Sequence, residues 1–87
     1  MKPFEFAFTL KGKKYAATFL VFNSESPIRI DVHDIWPKDL DIKEPFTIFL
    51  DRPKMNWYWP DHTRNPALGK SIAAAIHNKF LELHIII

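Results

Sequence analysis

The chain has 87 residues, a net charge of +2, no cysteine and only two glycines. That length fits one small domain with a modest core. The missing cysteines exclude a disulfide framework and thiol chemistry, and Gly12 and Gly69 alone cannot form a phosphate-cradling loop. No stretch approaches the roughly 18 consecutive apolar residues of a membrane span. The opening MKPFEFAFTL lacks the apolar run and small-residue cleavage site of a signal peptide. A cytoplasmic location without membrane contact is the expectation. Charge is unevenly spread: residues 1–22 carry +3, residues 23–51 carry −4 and residues 52–87 carry +3. Such segments can pair within the chain or between two copies, although a mixed solvated surface is the simpler account.

Phe4, Phe6, Phe8 and Leu10 alternate with Glu5, Ala7, Thr9 and Lys11, the period of a half-buried antiparallel strand. Gly12-Lys13 then suits a type II′ hairpin turn. Lys14 to Phe22 gives a second strand with Tyr15, Ala17, Phe19 and Val21 on one face. Its other face, Ala16, Thr18, Leu20 and Phe22, is also largely apolar, so this strand is central or meets something else there. Asn23 to Pro27 is a turn by composition. Ile28, Ile30 and Val32 alternate with Arg29, Asp31 and His33 as a third strand. The alternation breaks at Asp34, and residues 34–45 read as a loop with one helical turn after Pro37. Phe46 to Leu50 is a fourth strand, and Met55 to Trp59 a fifth stopped by Pro60.

The last segment is different. Leu68, Ile72, Ile76, Phe80, Leu83 and Ile87 recur at steps of four or three, one stripe of an amphipathic helix that includes Gly69 and Ala73. Asn65-Pro66 is a helix start, since Asn caps and proline at the first position loses no useful donor. Gly69, on the stripe, suggests close approach of a strand backbone. Leu81 falls on the polar side, and Ile85 to Ile87 follow without a glycine stop. The expected fold is α+β: a four- to five-stranded antiparallel sheet, hairpin first, covered on one face by a C-terminal helix of about residues 66–84.

Three functional readings follow. The densest aromatic patch is Trp57, Tyr58 and Trp59 with Arg52, Lys54 and Arg64 around it. Rings beside cations anchor a protein partner or stack the bases of a single strand. If the segment is extended, Trp57 and Trp59 share one face and Tyr58 takes the other. The plain alternative is that the tryptophans cap the end of the sheet. Second, His33-Asp34 and Asp61-His62 form imidazole–carboxylate sets suited to acid–base work or a metal ion, although no ligand spacing such as HExxH is present. His77 and His84 stand seven apart on the helix, too far to share one ion. Third, Leu81, the second face of strand two and the isoleucine tail exceed what one helix covers, which points to self-association. The composite expectation is a non-enzymatic interaction module with a protein partner or a homodimer, without a cofactor. Single-stranded nucleic acid is the first alternative and a small acid–base or metal-dependent enzyme the second.

Overall fold

The structure, a computed structural model, describes residues 2–22, 26–40, 42–51, 54, 56–59 and 66–83. Five strands precede one helix: β1 (Phe4–Leu10), β2 (Lys13–Phe22), β3 (Ile28–Trp36), β4 (Phe46–Asp51), β5 (Asn56–Tyr58) and α1 (Pro66–Leu83). The strands form one sheet in the order β1-β2-β3-β4-β5, each antiparallel to its neighbour. The expected α+β fold, with the hairpin first and the helix across one face, is the one formed.

The covered face is built by alternation. Phe6, Phe8 and Leu10 of β1, Phe19 of β2, Ile30 and Val32 of β3, and Ile48 and Leu50 of β4 are all buried. From the helix, Leu68, Ile72, Ile76 and Phe80 meet them, each fully enclosed. Each such side chain contributes about 1.5–3 kcal/mol through burial. Phe80 is the centre of the contact, edge-on to Phe19 at 5.8 Å and beside Trp57 at 6.1 Å. Away from the helix, Leu40 and Ile42 from the β3–β4 connection pack against the same core. Lys13 reaches out from β2 to form an ion pair with Asp39 of that connection. The Lys13 ammonium holds the Asp39 carboxyl below the usual carboxylate range, and burial pushes the nearby Tyr15 phenol up.

Several local expectations change. The hairpin loop is Lys11-Gly12, both at positive φ (52° and 79°), closing on the pair Leu10–Lys13. That is the type I′ pattern. The expected Gly12-Lys13 loop would have set Lys11 directly opposite Lys14, a like-charge pair. The observed register instead stacks Phe8 on Tyr15 at 5.3 Å. The helical turn expected after Pro37 is absent; residues 37–40 bend without helical pairing. Gly69 does admit a close neighbour, but the atoms nearest to it belong to the Trp59 indole, which a Cβ there would run into, and not to a strand backbone. Leu83, expected on the buried stripe, is 40% exposed, so the stripe ends at Phe80. Asn65, His84 and the isoleucine tail lie outside the described residues.

The largest difference is in β3, which runs on to Trp36. Its pairing with β2 shifts between Thr18–His33 and Ala16–Trp36, where two residues of β3, Asp34 and Ile35, stand against one of β2, Ala17. This is a β-bulge, and Asp34, at φ 56°, lies inside it in the left-handed region. Glu44 secures the bulge: Oε1 accepts the Asp34 N–H at 2.8 Å and Oε2 accepts the Ile35 N–H at 3.3 Å. Beyond the bulge Ile35 turns into the core at 2% exposure, and Trp36 turns out.

Candidate interaction surface

The helix covers one face of the sheet, and the register defines what stands on the other. At one end a transverse row crosses four strands as Phe22, Arg29, Phe49 and Tyr58. The Arg29 guanidinium lies over the Phe22 ring, 4.1 Å from its centroid, a cation–π contact. Phe49 and Tyr58 stack at 5.3 Å with planes 20° apart. The next row is Leu20, Asp31 and Thr47. Here the Thr47 hydroxyl donates to Asp31 Oδ1 at 2.9 Å, and Arg29 Nε approaches the same oxygen at 3.5 Å. Then come Glu5, Thr18 and His33. Thr18 Oγ1 donates to the His33 carbonyl at 3.2 Å and lies 3.1 Å from His33 Nδ1.

The far end holds Ala7, Ala16 and Trp36. The cross-strand neighbours of Trp36 are alanines, so no tall side chain flanks the indole there, and it is 66% exposed. Six strand steps at about 3.3 Å put it roughly 20 Å from the Arg29 row. The open face thus has two aromatic ends joined by a middle in which Thr18 bonds to His33 and Thr47 to Asp31, beside Leu20 and Glu5.

The aromatic patch read from the sequence is divided between the two faces, as its spacing implied. Trp57 turns toward the helix, edge-on to the His77 ring at 6.2 Å. His77 Nδ1 is buried without a hydrogen-bond partner among the described residues. Trp59 lies on Gly69. Both tryptophans are half-buried against the core, whereas Tyr58 is 41% exposed on the open face. Lys54 is exposed; Arg52 and Arg64 lie outside the described residues. Trp36, Phe22, Arg29 and Phe49 were not among the residues singled out from the sequence. The apolar second face of β2 did signal Phe22, but Trp36 was hidden by the bulge.

The acid–base candidates are only partly in view. His33 Nδ1 lies 3.0 Å from Asp34 Oδ2 at the margin of the bulge. Asp61 and His62 lie outside the described residues. No group of three metal-ligating side chains occurs among the described residues. No helix among them is long and apolar enough to cross a membrane. Set against known proteins, the chain matches no family model, no curated protein and no solved structure.

Proposed function

We propose that this chain is a non-enzymatic interaction module of the cytoplasm that binds a protein partner through the open face of its sheet. The observation that carries this reading is Trp36, 66% exposed and held outward by a clamped bulge, on the same face as the Phe49–Tyr58 stack. Aromatic side chains of this kind dominate interface energetics, because a rigid ring covers much area at little entropic cost. The intervening Thr–Asp and Thr–His contacts supply polar groups that are already paired, so a partner can cover them at small desolvation cost. Two copies meeting through this face form the self-associating version of the same module.

Site-specific photo-crosslinking tests it. Benzoylphenylalanine in place of Trp36 or Tyr58 yields a discrete protein adduct, and the same probe at Ala74, exposed on the outer side of α1, does not. Equal adducts at all three positions refute the reading. Sedimentation across micromolar concentrations separates adducts with a second copy from adducts with another protein.

A second reading rests on the Arg29–Phe22 and Phe49–Tyr58 stacks, since flat rings with a cation also receive the bases of single strands. Asp31 on the same face weighs against it. Random single-stranded oligonucleotides decide: no anisotropy change even at low salt removes this reading.

A further inference from the structure

Among the described residues strand β1 is an edge, with β2 as its one neighbour in the sheet. From the closing pair Leu10–Lys13 the register runs unbroken to Phe4–Phe19. In a ladder closed by a two-residue loop, the closing pair exchanges both hydrogen bonds, and every second pair after it does likewise. Phe4, Phe6, Phe8 and Leu10 therefore direct their N–H and C=O groups to β2. Glu5, Ala7 and Thr9 direct theirs outward, leaving three donors and three acceptors along the free edge.

A groove of about 460 Å³ runs beside this edge. Its lining includes Phe6 and Phe8 from the covered face as well as Ala7 and Thr9 from the open face, so it lies alongside the strand. Its far wall is α1, through Ser71, Ala75, Asn78, Lys79 and Glu82, of which the last two pair with each other at 3.7 Å and so leave no net charge on that wall. A strand laid at the usual ~4.8 Å from β1 would occupy this space. Proteins commonly block such edges with proline, bulges or several charges. Between Phe4 and Leu10 there is no proline, no bulge and one charge, Glu5. The opposite edge, β5, is only three residues long.

Charge along the edge defines the occupant. Glu5 stands at one end; Lys11 follows the other end, where Lys14 pairs with Thr9. None of these three makes an ion pair among the described residues. We propose that β1 accepts an extended peptide segment of a partner protein, added antiparallel, with an acidic residue facing Thr9 and a basic residue facing Glu5. The antiparallel sense gives the stronger ladder, and the charges fix its register. A second copy of this chain is the poorer occupant, because it would bring its own α1 to the seam where one helix already forms the wall. The inference does not depend on the open face, which stays free when the edge is filled.

The probe is a capped, fluorescein-labelled peptide, Thr-Glu-Val-Thr-Val-Lys-Thr, titrated by anisotropy against the intact chain. Its central Thr faces Ala7, with its N–H toward β1, whereas the two Val N–H groups point away. N-methylation of the central Thr is expected to weaken binding about tenfold, the value of a lost backbone hydrogen bond and its geometry. N-methylation of the first Val leaves affinity within about twofold. Exchanging Glu and Lys in the peptide weakens binding severalfold at low salt. The combined Glu5→Lys, Lys11→Glu and Lys14→Glu variant then reverses the preference. No binding up to about 1 mM, equal loss from both N-methylations, or loss on Trp36→Ala overturns the proposal; the last would place the peptide on the open face.

Discussion

Phe80 and Trp36 are both large aromatic side chains belonging to the two sides of one sheet. The first is fully buried and the second 66% exposed. On the covered side, every strand contributes apolar residues that interlock with the helix, and no charged side chain is buried among the described residues. On the open side, aromatic groups at the two ends are separated by hydrogen-bonded Thr, Asp and His. The contrast teaches that apolar content alone does not separate core from surface in this chain. What separates them is whether the apolar groups are continuous. Aromatic residues on the covered side stabilise the fold, and those on the open side are available to something else.

Phe80→Ala gives the widest expected separation. It removes the ring between Phe19 and Trp57 and should cost about 3–5 kcal/mol in denaturant unfolding. A loss below about 1 kcal/mol would mean the helix contributes little to the covered side. Gly69→Ala comes next. Alanine favours a helix by about 1 kcal/mol over glycine, yet the new methyl meets the Trp59 indole, so a net loss of roughly 1–2 kcal/mol is expected. A gain in stability would show the indole swinging away at no cost. Trp36→Ala should change stability by no more than about 0.5 kcal/mol, as for other exposed positions, while abolishing the crosslinkable contact. A large loss of stability would move Trp36 to the structural side of the comparison. The smallest effect is in acid. The Asp39 carboxyl is held low by Lys13, so its contribution is present above about pH 4 and is lost as pH falls through its folded value. Asp39→Asn should flatten that part of the stability curve slightly, and should also soften the alkaline limb, where the Lys13 ammonium that Asp39 holds above the usual lysine range gives up its proton; both effects are small, since both partners are about half exposed.

The strands of the covered side were legible because their alternation is strict and their partners are apolar. The α1 stripe from Leu68 to Phe80 was legible for the same reason. Leu83 was not, since periodicity cannot show where the sheet beneath a helix ends. The hairpin was legible but its loop was one residue out, because Gly12 suits either turn, and the choice is made by Phe8 on Tyr15 across the strands. The candidate surface was the least legible. Tyr58 could be placed by its neighbours, but Arg29, Phe49 and Phe22 become one row only through registers that join four strands. Trp36 required knowing that Glu44, ten residues from Asp34, holds the two amides of an interrupted strand.

That interruption also has a consequence for insertions and deletions. Counting from His33, strict alternation would send Asp34 inward, Ile35 outward and Trp36 inward. Absorbing one residue restores the opposite parity, with Ile35 in and Trp36 out. A chain lacking Asp34 altogether would therefore keep the same inside–outside assignment from Ile28 to Trp36, as a plain strand. A chain with a further residue inserted there would, as a plain strand, also send Ile35 in and Trp36 out, but would move the pairing beyond it by two residues along β2. Either change of length keeps the two faces, but only the shorter chain also keeps Trp36 opposite Ala16, and that asymmetry is written in the count of residues and not in the chemistry of the aspartate.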